Sequence, residues 1–133
     1  MSRLRRDQGS LSIFVAVMAV GLVMAAGLAI DGGRKLNALG HARDIADNAA
    51  RAGAQQVDLV HARRSGEVVL DPTAAEARAQ SYLASVGREG TVVVGRDTVT
   101  VTVTVDQPMV ILPIGNQRVS ATESARTLQE VPS

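Results

Sequence analysis

Residues 8–30 read QGSLSIFVAVMAVGLVMAAGLAI, 23 positions without a charged side chain. Arg3, Arg5 and Arg6 stand just before this run and Asp31 closes it. At a helical rise of about 1.5 Å per residue, the run matches the ~30 Å hydrocarbon thickness of a bilayer. Leu11, Ile13, Phe14, Val15, Val17, Val20, Leu22, Val23, Leu28 and Ile30 each favour insertion by roughly 0.3–0.6 kcal/mol, about 3 to 6 kcal/mol together. A soluble helix of this length carries a polar stripe, and this one has none. The remaining residues therefore have to be assigned to one side of a membrane or the other.

Two fates are compatible with such a start. The arginines followed by an apolar run resemble the opening of a secretory signal, and Met24-Ala25-Ala26 or Gly27-Leu28-Ala29 offers small residues for a signal peptidase. The apolar core of a signal peptide, however, runs roughly 7–15 residues, and this one is longer. The expectation is an uncleaved signal anchor over 9–30, with residues 1–8 as a short cytoplasmic tail and 31–133 outside the cytoplasm. The tight cluster Arg3, Arg5, Arg6 outweighs Arg34, Lys35 and Arg43 on the far flank, which puts the N-terminus inside. Gly21, Ala25 and Ala29 recur at four-residue spacing; such a face lets a second helix approach closely.

The composition bounds the rest. A chain of 133 residues leaves about a hundred for one small domain beyond the apolar run. Its apolar fraction is 46%, but Phe14 and Tyr82 are the only aromatic residues, so the core must be built from Val, Ala, Leu and Ile. With no cysteine there is no disulfide, thiolate nucleophile or cysteine metal site. A net charge of +1 provides no field for nucleic acid.

Past the apolar run, Asp31-Gly32-Gly33-Arg34 marks the membrane exit. Adjacent glycines weaken a helix by about 1 kcal/mol each relative to alanine, so a kink or short break is expected there. Helical periodicity then resumes: Leu39, Ala42, Ala46, Ala49, Gly53, Val57 and Val60 follow three- and four-residue steps, predicting a helix over about 35–61. Its stripe is narrow and made of small residues, which suits close packing on a sheet or another helix. Arg43–Asp47 and Asp47–Arg51 are spaced for ion pairs on the wet face. Residues 62–66 (ARRSG) read as a polar turn. Asp71-Pro72 is an N-cap followed by proline at the first helical position. A second helix over about 72–86 follows, through Ala74, Ala77, Tyr82 and Leu83, and stops at Gly87.

From Thr91 the period becomes two. Val99, Val101, Val103 and Val105 alternate with Thr98, Thr100, Thr102 and Thr104, which predicts a half-buried strand over about 98–106. Residues 91–95 precede it across Gly95-Arg96-Asp97, so the two form a hairpin. A third strand is expected over about 117–127, with Val119, Ala121 and Ala125 on one face. Residues 108–115 (PMVILPIG) are apolar, and their prolines exclude a central strand. They are either an exposed hydrophobic tip or a loop folded over the open end of the core. The fold class is α+β: a transmembrane helix continuing into an alanine-rich helix, a second helix, then a small antiparallel sheet of about three strands.

Gly9-Ser10-Leu11, the apolar run, Asp31-Gly32-Gly33-Arg34 and the stretch ARDIADNAARAGA over 42–54 together resemble the N-terminal module of the Flp pilus-assembly TadE/TadG-like family. The resemblance covers roughly residues 6–56. It rests on a glycine before a membrane helix, the exit motif, and the helix motif Ala46, Asp47, Ala49, Ala50. It implies a membrane-anchored protein of a tight-adherence pilus or related secretion apparatus. The implied partners are the lipid bilayer, other membrane proteins of that machinery, and further copies of this chain. Pilin-like members are cut after a glycine preceding the helix and carry glutamate at the fifth mature position; a cut between Gly9 and Ser10 would put Phe14 there.

Catalytic chemistry is not legible. His41 and His61 lie 20 residues apart with no carboxylate at metal-site spacing, and read as solvated helix-face residues. No Gly-x-Ser-x-Gly elbow occurs. Asp44 and Asp47 are one turn apart, but Arg43 and Arg51 beside them indicate a salt-bridged surface. Asp31 either orients a partner group at the apolar boundary or ends the helix. No enzyme, cofactor, metal site or nucleic-acid partner is expected. The competing reading is a small secreted binding domain whose apolar segment is a cleaved signal peptide.

Overall fold

A single helix, α1 (Leu4–Ala54), carries the apolar run and the alanine-rich stretch without interruption. At about 1.5 Å per residue its 51 residues extend roughly 76 Å. The structure, a computed structural model, describes residues 4–108 and 115–127. After α1 come α2 (Leu59–Ser65), α3 (Pro72–Ser85), β1 (Gly90–Val94), β2 (Thr98–Pro108) and β3 (Asn116–Arg126). The strands form one antiparallel sheet in the order β1-β2-β3. The fold is α+β, with the helices before the sheet.

The core forms where the C-terminal half of α1 lies on one face of that sheet, with α3 beside it. Ala42, Ala46, Ala49, Ala50 and Ala54 are buried on α1, Ala75, Ala79 and Leu83 on α3, and Val99, Val101 and Val103 on β2. Small side chains on both helices bring backbones close. A Cβ added at Gly53 would stand 2.9 Å from the Ala75 carbonyl oxygen and 3.2 Å from Val99 Cγ1. At Gly90 it would stand 2.7 Å from the Thr102 carbonyl oxygen and 3.0 Å from Leu83 Cδ1. Leu83 thus fills the space that glycine leaves on β1.

The sheet follows its alternation. Val99 pairs with Val94 and Ala125, Val101 with Val92 and Glu123, and Val103 with Gly90 and Ala121, so the valines share the inner face. The threonines take the outer face, where Thr100 and Ser124 hydroxyls are 2.9 Å apart and those of Thr102 and Thr122 2.8 Å apart. Such cross-strand hydroxyl pairs add roughly 0.2–1 kcal/mol each. Pro108 is the last residue of β2, opposite Asn116, consistent with a residue that cannot donate to a ladder. The apolar residues 109–114 that follow it, and with them the tip-or-cap alternative, lie outside the described residues.

Several expectations are corrected. The helix does not break at Gly32-Gly33; helical hydrogen bonding across both residues outweighs their propensity deficit. The helix expected over 35–61 ends at Ala54. Val57 instead pairs with Leu70 in an isolated antiparallel bridge, and Asp58 caps a separate helix, its Oδ1 accepting from the Val60 and His61 amides at 3.0 and 2.9 Å. Val60 is therefore exposed, not part of the buried stripe, and residues 62–65 are helical, with the turn at Gly66 (φ 72°). On α3 the buried face is Ala75, Ala79 and Leu83; Ala77 faces solvent.

The termini of α3 match their signals. Asp71 Oδ1 accepts from the Ala74 amide at 3.0 Å, with Pro72 first in the helix. At the other end Gly87 (φ 64°) donates to Ala84 O at 3.0 Å, and Arg88 N–H donates to Leu83 O at 3.0 Å. This is the paired hydrogen-bond pattern of a Schellman stop, and it fixes the backbone at Arg88.

Candidate functional site

The apolar half of α1 has no covering layer over most of its length. Leu11, Ile13, Phe14, Val17, Leu22, Val23, Met24 and Leu28 are each more than 60% exposed. By length and composition this helix is able to cross a membrane, and only 6% of its most apolar window is buried. Water would pay heavily for such a surface, whereas lipid accommodates it, and the helix satisfies its own backbone hydrogen bonds.

Gly21, Ala25 and Ala29 lie on that half and are exposed. No atom comes within 4 Å of a Cβ built at Gly21, so the face has room for a neighbouring helix. Gly9 and Ser10 are also exposed and already helical. Gly27 and Asp31, one turn apart on α1, are buried instead, and Asp31 is only 2% exposed. Because α1 runs on to Ala54, Asp31 does not end the helix. Gly32 is half-buried and Gly33 and Arg34 are exposed at the same level.

The helix motif has a packing explanation. Ala46, Ala49 and Ala50 are fully buried under the sheet and α3, while Asp47 is half-buried at the margin and forms an ion pair with Arg51 at 2.9 Å. The spaced Arg43–Asp47 pair does not form among the described residues; Arg43 faces solvent. Alanine at these positions lets α1 sit close to two elements at once, so the motif builds the core and exposes no reactive group.

Residues 9–56 match the Flp pilus-assembly TadE/G-like (Tad) family model. The Tad segment takes in the apolar run from Gly9 onward, the exit motif and the alanine helix, and ends within two residues of the end of α1. It covers a little over a third of the chain; α2, α3 and the sheet lie beyond it. The family resemblance read from the sequence is thus matched over nearly the same residues. No curated protein matches the chain, and no solved structure matches it.

Polar side chains away from α1 form a surface network. Glu67 Oε2 accepts from Arg96 Nη2 at 2.7 Å and lies 4.0 Å from His61 Nε2. His61 is therefore half-buried beside a carboxylate, not the freely solvated residue expected; His41 is exposed. Arg118 and Asp106 pair at 3.3 Å and Arg126 and Asp97 at 3.4 Å across the sheet. These exposed pairs contribute about 0–1 kcal/mol each and are screened by salt. Among the described residues no three histidine or carboxylate side chains gather as metal ligands would.

Proposed function

We propose that this chain is a single-pass membrane protein of a tight-adherence (Flp-type) pilus assembly or related secretion apparatus. Its N-terminus is cytoplasmic, its α+β domain stands on the extracytoplasmic side, and its role is structural. The observation that carries this reading is one helix that is apolar and exposed over its first half, has one face buried in the domain core over its second, and is matched to the Tad family throughout 9–54. A helix shared in this way couples the domain rigidly to whatever packs against the membrane half. Gly21, Ala25 and Ala29 form the face on which sister helices of the apparatus, or a second copy, would pack. No step of this role needs a catalytic group.

Deleting the gene tests the role: surface pili or the secretion that depends on them are lost, and normal appendages and secretion in the deletion strain refute it. Orientation is tested separately, because the chain has no cysteine of its own. A Ser81→Cys variant carries its thiol on the exposed side of α3. A membrane-impermeant maleimide labels it in intact spheroplasts if the domain is outside, and only after lysis if it is inside.

A further inference from the structure

The α1 helix and β2 run in opposite directions, which fixes what stands next to the membrane. Val99 lies against Gly53 at the far end, and Val105 and Gln107 lie near Ala38 and Arg34 at the near end. The lengths agree: the strand from Val99 to Gln107 and the helix from Arg34 to Gly53 each span roughly 28 Å. The near end of β2 therefore stands level with Arg34, four residues beyond the apolar run and so about 6 Å from its end. The headgroup layer of a bilayer is itself about 5–8 Å deep on each side.

At that level Arg34, Asn37 and His41 of α1 meet Arg88 from the Schellman stop of α3 and Gln107 from β2 around a cavity of about 190 Å³. This is many times the ~10–15 Å³ that admits one water. Every polar side chain lining it brings an N–H donor, and no carboxylate lines it. Of the acids nearby in sequence, Asp31 is buried one turn earlier, Asp44 faces solvent, and Glu89 lines clefts on the β1 side, one of which Arg88 also borders without an ion pair forming between them. Arg34 and Arg88 form no ion pair among the described residues, as is also true of Arg43, Arg63, Arg64 and Arg78, but they are the two guanidinium groups that line one cavity together. Ile45 and Val105 complete the lining with apolar surface.

We propose that this cavity binds the phosphodiester headgroup of an anionic phospholipid in the leaflet next to the domain. The proposal rests on the membrane-anchored reading above. Guanidinium groups match phosphate oxygens bidentately, and the amides and imidazole add single donors. Basic pockets at membrane level attract anionic headgroups in this manner. The site also gives a use to Arg34 on the flank that the N-terminal arginines would otherwise outbid for the cytoplasm. Lipid held there would fix the rotation of α1 and the tilt of the domain relative to the bilayer.

The test reconstitutes the full chain into nanodiscs of mixed phosphatidylglycerol and phosphatidylcholine and counts retained lipids by native mass spectrometry. Phosphatidylglycerol is retained in preference to phosphatidylcholine. Arg34→Gln and Arg88→Gln each weaken that preference by roughly fivefold, while Arg63→Gln on α2, outside the cavity, leaves it unchanged. Circular dichroism of each variant confirms that the domain stays folded. An absent preference, or one indifferent to Arg34 and Arg88, overturns the proposal. Displacement of the lipid by millimolar sn-glycerol 3-phosphate reassigns the cavity to soluble phosphate esters and overturns the lipid assignment. Failure of the chain to enter nanodiscs of either lipid instead refutes the membrane-anchored reading itself.

Discussion

Glycine 53 sets how closely α1 approaches its neighbours. An alanine there would gain about 1 kcal/mol in helix propensity, but its Cβ would press on the Ala75 carbonyl at 2.9 Å and on both Val99 methyls. Backbone cannot yield as a side-chain tip can, so Gly53→Ala is expected to destabilise the domain by roughly 1–3 kcal/mol. Gly40, on the same helix with nothing within 4 Å of its Cβ position, is the control. Gly40→Ala should be neutral or stabilising by up to about 1 kcal/mol. Thermal unfolding of the two detergent-solubilised variants, followed by circular dichroism, separates them; equal shifts would mean the close approach is absent. Leu83→Ala, at a fully buried site, should cost about 2–5 kcal/mol in the same assay. The small-residue stripe was legible from spacing alone. What it packs against was not, because alanine and glycine spacing is the same whether the neighbour is a helix or a sheet; here it is both. The burial of Asp31 left no mark in local sequence, since tertiary neighbours decide it.

Among the elements, the strands and α3 were the most legible. Alternating Val and Thr admits one sheet face per residue type, and Asp71-Pro72 with Gly87 brackets a helix by two independent capping mechanisms. Removing the first cap tests it: Asp71→Ala should lower stability by about 1 kcal/mol, whereas Asp71→Asn, which keeps an acceptor, should lose less. The end of α1 was hidden by coincidence. Val57 and Val60 continue the three- and four-residue steps of the buried stripe, yet Asp58 was a cap signal inside that pattern, and its carboxylate starts α2. Tertiary pairing of Val57 with Leu70 then takes the chain out of the helix. Glycines 32 and 33 show the opposite error, where propensity suggested a break that continuous hydrogen bonding does not permit. On the proposed role, replacing both by alanine should leave membrane retention and pilus output intact, since no described atom lies within 4 Å of either Cβ position. Loss of output with normal protein levels would show that flexibility at the exit is required.

Over the whole molecule, the decisive feature is that the exposed apolar segment and the core of the domain share one helix. Separate elements joined by a loop would let the domain turn freely; in the anchored protein proposed above, an unbroken α1 would transmit position and orientation from the bilayer to the sheet. The exposed apolar half has no use in a freely secreted domain, where it would be cut away near Ala26 or Ala29. It is required in an anchored protein, and in a pilin-like subunit cut after Gly9 it would be kept almost whole. The most direct discrimination is the N-terminal residue and intact mass of the mature protein, taken from washed membranes and from the medium. A full-length chain confined to membranes is the predicted result. A chain beginning at Ser10 would make it a processed, pilin-like subunit, and one released into the medium beginning near Gly27 or Ile30 would contradict the anchored reading outright.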